Sequence, residues 1–395
     1  MVKVVLVGIG GYGNTIVKEI LENPNALVNL VGVVDPYPVG CNYLDQLKAR
    51  NVPIYSDMEE FYADYAADLA VISTPIFLHT QHMLTALKYG SHVLCEKPLC
   101  SDEKDILLLE EAQKKSGKNI YIGYQWAFSE PVTKWKNDIL EGKFGDVKEM
   151  KTLVLRPRDR AYFERGVGWA GKIKMPDGTL VYDSVANNSA AHYLFNMLFV
   201  MGDYGKAAIP INISAELYRA NCIENFDTCK IDFQFANGAK ACFIGAHPVH
   251  SAIEPVFEYQ FENGTVYYAC RENDEVRKLM PETYAEYGQI VAIMHSGEKI
   301  VYGDPMENCC RKFYVAIQAI SEKRKDNGSC GLEAAAIHTR LINEIQKQCV
   351  IRSINPACLR EDNDLLYAEG LFEKAVSCYS DISKSLAGFA DKKEV

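Results

Sequence analysis

Glu96-Lys97-Pro98 closes the apolar run His92–Cys95, and a lysine at the carboxyl end of a buried strand is equipped for chemistry. Open α/β sheets take their ligands outside the carboxyl ends of their strands. A lysine there can share the proton of an alcohol oxygen beside a nicotinamide ring. The proline fixes the local backbone, and X-Pro bonds are the ones that adopt cis.

The tripeptide gains meaning from a pattern near the start. Gly8-Ile9-Gly10-Gly11-Tyr12-Gly13 follows the apolar run Val2–Val7 and opens a helical pattern, Asn14–Leu21, with Ile16, Val17 and Ile20 on one face. This is G-x-G-x-x-G in strand–turn–helix context. Gly8 permits the tight turn and Gly10 lets backbone approach a pyrophosphate, whose charge sits at the helix N-terminus. Gly13 lets the helix press on the sheet. Asp35 ends the next apolar run, Leu30–Val34, 22 residues after Gly13. A carboxylate there accepts from ribose hydroxyls. Asp35 favours NAD over NADP, because a 2′-phosphate would meet a like charge, and Pro36-Tyr37-Pro38 supplies no arginine. Ser73-Thr74-Pro75 ends a further strand and His79 begins the next helix in the same crevice, with an ordinary helix-start histidine as the competing reading. Gln125 follows the strand Asn119–Gly123, within reach of the nicotinamide. The expected cofactor contacts are thus Gly8, Ile9, Gly10, Gly11, Tyr12, Gly13, Asp35, Ser73, Thr74, Pro75, His79, Glu96, Lys97 and Gln125.

Strands at 2–7, 30–34, 69–73, 92–95 and 119–123 alternate with helices at 14–21, 78–88 and 102–115. That alternation predicts a doubly wound parallel sheet with right-handed crossovers, an α/β Rossmann domain over 1–125. After Pro131 the pattern changes. A helix, 131–141, leads to strands at 148–156, 211–219, 230–235, 240–245, 257–261 and 266–270. Asn237-Gly238 and Asn263-Gly264 join two pairs as hairpins. The second domain, 126–350, is therefore α+β with a large, mostly antiparallel open sheet, closed by helices at 310–322 and 332–348. The remainder, 351–395, reads as a helical tail with Leu365, Leu366, Leu371, Phe372 and Val376 on its apolar face.

The chain has 395 residues, 48% of them apolar and 24% charged, an ordinary globular balance. A net charge of −10 argues against nucleic acid and against an anionic membrane as partner. The 13 cysteines are odd in number and contain no C-x-x-C, so they read as reduced, small hydrophobes. His247 and His250 lack clustered partners, and no metal is assigned. With strand one starting at Val2, no leader and no membrane span are expected, and the chain reads as cytoplasmic.

Together these motifs resemble the Gfo/Idh/MocA oxidoreductases (glucose–fructose oxidoreductase, inositol dehydrogenase, rhizopine catabolism). The matching residues are Gly8–Gly13, Asp35, Thr74-Pro75 with His79, Gly90–Leu99 and Gly331–Ala335. The resemblance implies NAD(P), oxidation or reduction of sugars and cyclitols, and a homo-oligomer, dimer or tetramer, often built on the open sheet. It also implies an active site made of Lys97 and of Asp-x-x-x-His on a helix of the second domain. The matching stretch is Asn187-Asn188-Ser189-Ala190-Ala191-His192. His192 takes the place of the family histidine, while Asn188 stands where aspartate is usual and carries no charge. Spacing of four puts 188 and 192 on one helix face. A core histidine and an N-cap asparagine are the competing readings. Asp183 is a candidate replacement for the missing charge, or a loop carboxylate. Tyr124, Arg156, Trp169 and Asn188 are the expected substrate contacts, within an aromatic and basic segment that also holds Arg158, Tyr162, Arg165 and Lys172. Such a segment suits a sugar or an acidic substituent, with a solvated loop as the equal competing reading for most of these residues.

The leading expectation is an NAD-dependent oxidoreductase acting on a secondary hydroxyl of a small carbohydrate or cyclitol. Two others fit the same residues: a glycosidase that oxidises its sugar transiently and eliminates the aglycone, and a non-catalytic dinucleotide-sensing regulator.

Overall fold

The computed structural model describes residues 1–165, 168–324 and 330–389. The chain opens with β1 (Val2–Val7), α1 (Gly13–Glu22), β2 (Val28–Val34), α2 (Leu44–Ala49), β3 (Ile54–Tyr55), α3 (Met58–Asp64), β4 (Leu69–Ile72), α4 (His79–Lys88), β5 (His92–Cys95), α5 (Lys104–Ser116) and β6 (Ile120–Ile122). The strands form one parallel sheet in the order β3-β2-β1-β4-β5-β6. Strand order reverses between β1 and β4, which is where such sheets bind ligands. The strands are apolar throughout because helices cover both faces; all four residues of β4 are buried. α1 turns Ile16, Val17 and Leu21 inward, and Asp57 caps α3 by accepting from the Glu59 and Glu60 N–H groups.

The chain continues with α6 (Glu130–Leu140), β7 (Val147–Leu155), α7 (Arg160–Glu164), a π-helical turn (Val185–Ser189), α8 (Ala191–Val200), β8 (Ile211–Arg219), β9 (Thr228–Gln234), β10 (Lys240–Ala246), β11 (Ile253–Phe261), β12 (Gly264–Ala269), α9 (Asp274–Leu279), β13 (Ile290–Met294) and β14 (Lys299–Gly303). Then come α10 (Arg311–Ser321), α11 (Leu332–Gln348), β15 (Ile351–Ser353), β16 (Leu359–Asp362), β17 (Leu365–Ala368) and α12 (Leu371–Ser380). The second sheet runs β14-β13-β12-β11-β7-β10-β9-β8-β15. It is antiparallel except at β7–β10 and β8–β15. Both expected Asn-Gly hairpins are present, joining β9 to β10 and β11 to β12.

Contacts divide the chain into two compact units: 1–129 with 308–339, and 130–307 with 340–395. The first boundary lies near the expected 125. The segment 308–339, assigned by the sequence to the second domain, belongs to the first. Its anchors are the buried Lys312, which pairs with Glu96, and the half-buried Arg311, whose guanidinium donates to the Phe128 carbonyl at 2.9 Å.

The tail also differs from expectation. Leu365 and Leu366 lie in a hairpin, β16–β17, and only 371–380 is helical. In the second unit, Leu371, Phe372, Ala375, Cys378 and Tyr379 of α12 join Leu153, Leu155, Ile244 and Val256 in one apolar cluster. α12 therefore covers part of a sheet face that alternation alone leaves open. The other face packs Trp135 of α6 against Phe257 and Tyr259, with ring centroids 5.6 and 5.7 Å away. Among the described residues no helix is long and apolar enough to cross a membrane.

Candidate active site

The Gly-rich turn has the shape a pyrophosphate needs. Gly8 has φ +81°, and a Cβ there would press on Thr74 and on the Ser73 carbonyl. A Cβ on Gly13 would collide with the Gly8 carbonyl oxygen, so only glycine lets α1 start this close to the strand end. Around Gly11 there is open space. α1 has no side-chain cap and no acid in its first turn, so the helix itself sets no side chain against an anion at its N-terminus. Asp35 follows β2 directly, and its carboxylate accepts from the Ile9 N–H at 2.9 Å and the Tyr37 N–H at 2.8 Å. These residues fit a dinucleotide: an open glycine turn at a helix N-terminus, with a carboxylate across from it.

Ser73, Thr74 and Pro75 leave β4 half-buried beside Gly8. His79 is 1% exposed. Its Nδ1 meets the Pro98 carbonyl at 2.8 Å and its Nε2 the Thr74 carbonyl at 3.0 Å. Burial lowers its pKa. The expected cofactor contact is thus corrected: His79 braces the Thr74 and Pro98 loops from behind.

Lys97 leaves the carboxyl end of β5, half-buried, with a cis bond to Pro98. Glu96 beside it turns inward and pairs with Lys312, whose ammonium also donates to the Gly123 carbonyl at 3.4 Å. A Cβ on Gly123 would press on the Glu96 carboxylate, so glycine makes its room. The Lys312 ammonium lies 4.5 Å from the centre of the Tyr12 ring. Glu96, expected at the cofactor, is therefore held by a buried lysine that sequence reasoning missed. Burial first, and the charge of Glu96 second, push the Tyr12 hydroxyl pKa up. Gln125 is half-buried at the start of a 3₁₀ turn, Gln125–Phe128. Tyr124 is fully buried, its ring 5.5 Å from that of His338. The expected substrate contact at Tyr124 is corrected to a core position.

In the second unit the stretch 185–192 is not one α-helix. Ser184 caps the π turn by accepting from the Asn187 N–H, Ala190 breaks it with φ −113° and ψ 10°, and α8 starts at Ala191. Asn188 and His192 therefore lie on consecutive elements, and Asn188 is no N-cap. Asn188 Nδ2 instead donates to Asp183 Oδ1 at 2.8 Å. The Asp183 carboxylate is 3% exposed and also takes the Gly171 N–H at 2.6 Å, with the Arg165 guanidinium at 3.5 Å. His192 is half-buried in the first turn of α8, edge-on to Tyr193. Arg156, expected as a substrate contact, is half-buried and pairs with Glu254 at 2.5 Å and with the Ser189 carbonyl at 3.2 Å. Trp169 stacks beneath the Arg165 guanidinium at 4.9 Å. His247 donates from Nδ1 to the Arg156 carbonyl and accepts at Nε2 from Ser189, both at 2.9 Å, as a neutral ring whose pKa burial lowers to about 3. Among the described residues no group of His, Cys, Asp and Glu could hold a metal ion.

A parallel sheet with an open glycine turn at its carboxyl edge is the architecture of a dinucleotide-binding Rossmann domain, here followed by a large mixed sheet. Residues 2–124 match the family described as "Oxidoreductase family, NAD-binding Rossmann fold". Residues 2–124 are thus similar to the NAD-binding domain of the Gfo/Idh/MocA oxidoreductases. It is 28% identical over 138 residues to the 1-carboxy-3-chloro-3,4-dihydroxycyclohexa-1,5-diene dehydrogenase of Comamonas testosteroni, covering 33% of this chain and 34% of that one. It is 25% identical over 231 residues to the scyllo-inositol 2-dehydrogenase (NADP⁺) IolW of Bacillus subtilis, covering 57% and 59%. The matches thus span about a third to three fifths of these curated relatives. Among solved structures, the WlbA dehydrogenase of Bordetella pertussis in complex with NADH and UDP-GlcNAcA shares the fold, with TM-score 0.68 at 18% identity over 88% of this chain and 95% of that one.

Proposed function

We propose that the protein is an NAD-dependent oxidoreductase acting on a secondary hydroxyl of a sugar, glycoside or cyclitol. The observation that carries this is the placement of Lys97 at the carboxyl end of β5, on the sheet edge that holds the Gly8–Gly13 turn and Asp35. The relatives named above act on a cyclitol and on a carboxylated dihydroxy ring, which supports the substrate class. The pairing of Asp35 with the Ile9 and Tyr37 N–H groups supports NAD over NADP, since a 2′-phosphate would face that carboxylate.

The nicotinamide, when bound, supplies the hydride acceptor for the carbinol carbon. His192 accepts the hydroxyl proton as general base, help typically worth ~100- to 10,000-fold. Lys97 donates a hydrogen bond to the substrate oxygen and stabilises developing alkoxide charge. Asn188, fixed by Asp183, offers its carbonyl oxygen to a neighbouring hydroxyl. The homo-oligomer rests on the family resemblance alone; because α12 covers part of the second sheet, its interface would use other surface.

NADH absorbance tests the reading, on mixing protein and NAD with free sugars, cyclitols, uronic acids and aryl glycosides while aglycone release is followed. Stoichiometric NADH supports it. Aglycone release without net NADH would instead identify the transient-oxidation glycosidase, and bound NAD with silence in both channels a sensor.

A further inference from the structure

Two guanidiniums, those of Arg158 and Arg165, lie over Tyr162, 4.5 and 3.7 Å from the ring centre. A third, that of Arg156, lies close enough to repel Arg158. Two of the three have carboxylates: Arg156 has Glu254 at 2.5 Å and Arg165 has Asp183 at 3.5 Å. Arg158 makes no ion pair of its own among the described residues: Glu254, which acts on it at longer range, is taken by Arg156, and the Arg158 Nε is buried without a hydrogen-bond partner. Burial first, and the charges of Arg156 and Arg165 after it, lower the pKa of Arg158.

A half-buried cation beside two like charges is costly unless an anion joins it. The ring of Tyr162 offsets part of that cost, but satisfies no N–H. His247, with its ring centroid 5.5 Å from that of Tyr162, is neutral, and Tyr193, which accepts from Arg156 at 3.4 Å, has its pKa raised by burial, so neither offers a negative charge. The cluster is also tied to Asn188, the residue proposed above to meet a substrate hydroxyl. Asp183 bridges Arg165 to the Asn188 amide, and Ser189, next to Asn188, is held by His247.

We propose that Arg158 is the receptor for an anionic group on the substrate, so that the sugar or cyclitol oxidised by this protein carries a carboxylate or a phosphate. Arginine's planar fork takes either group through two parallel N–H bonds. The inference rests on the proposed oxidoreductase function and narrows its substrate class.

Calorimetric titration of the NAD-loaded full chain tests it, with D-glucuronate, D-galacturonate, glucose 6-phosphate and the neutral parents D-glucose and D-galactose as probes. At least one acidic sugar is expected to bind about tenfold or more tighter than its neutral parent. Arg158→Gln is expected to erase that margin while NAD affinity and melting temperature stay at the wild-type values. Arg158→Lys, which keeps the charge and loses the fork, is expected to retain a reduced margin. The uronate and phosphate arms separate the two anions. Equal binding of acidic and neutral sugars, no binding of any acidic sugar, or an intact margin in Arg158→Gln would overturn the proposal. If neutral sugars still reduce NAD in that case, the oxidoreductase reading stands without it; failure to bind NAD at all would bring down both.

Discussion

The Asn188 side-chain amide donates a 2.8 Å hydrogen bond to the Asp183 carboxylate. Asn188, which the sequence resemblance aligns with an aspartate, is neutral, yet a carboxylate five residues upstream lies against it. Two substitutions follow from this pair. Asp183→Asn removes an acceptor for Asn188, Gly171 and Arg165 together, and should lower kcat by roughly tenfold to a hundredfold through misplacement of the 188 side chain. Asn188→Asp sets two carboxylates within hydrogen-bond distance, where they cannot both ionise freely; the acidic limb of the kcat/KM profile should move to higher pH. An unchanged profile would show that the two side chains do not share a site.

Lys312 and Glu96 form an ion pair with the lysine side chain fully buried. Removing one partner leaves a buried charge uncompensated, a loss of about 3–5 kcal/mol. Lys312→Met should therefore lower the urea midpoint sharply, and adding Glu96→Gln should restore most of it. A double variant no better than the single one would mean that the pair is not the source of the loss.

Acid should destabilise the fold well before its carboxylates titrate. Burial lowers the pKa of His247 to about 3 and those of His82 and His92 to about 4, from 6.5. His92 Nδ1 accepts from the Asn119 N–H at 2.9 Å and so must be unprotonated in the native state. Below the unfolded value the unfolded chain binds more protons, so stability is complete above about pH 6.5, falls as pH drops below it, and is fully lost once pH has passed the folded values. His247 alone contributes a slope of up to about 1.4 kcal/mol per pH unit there. Urea midpoints between pH 7.5 and 4.5 should fall steadily, and less steeply in His247→Gln. A flat profile would contradict the burial argument.

α12 acts as a cover. Phe372 is 5% exposed in the apolar cluster under the second sheet, and Phe372→Ala should cost about 3–5 kcal/mol. A change below 1 kcal/mol in chemical denaturation would show the tail to be dispensable.

The parts of this molecule governed by short-range rules were legible in its sequence. Gly8, Gly13 and Asp35 are readable because backbone geometry admits few residues there, and Asn237-Gly238 because its turn demands positive φ. The tail was misread although its signal was present: Asn363 and Asp364 both have positive φ, 47° and 66°, and form the turn of β16–β17. Apolar Leu365 and Leu366 suit a strand or a helix equally over so short a run. Tyr124 follows a strand edge as a ligand contact would, and only the packing of His338 shows it to be core. Lys312 lies 216 residues from Glu96, and no local pattern pairs residues across that distance. The π turn at 185–189 has no sequence period that distinguishes it from the α-helix that follows.

The most direct test of the central claim is single-turnover NAD reduction by wild type and Lys97→Met, with the sugar that the NADH screen identifies, alongside NAD affinity for each. Lys97→Met is expected to bind NAD as wild type does and to reduce it on the order of a hundredfold more slowly, in line with loss of a group that stabilises the reacting oxygen. Reduction at the wild-type rate would contradict it and remove Lys97 from the chemistry.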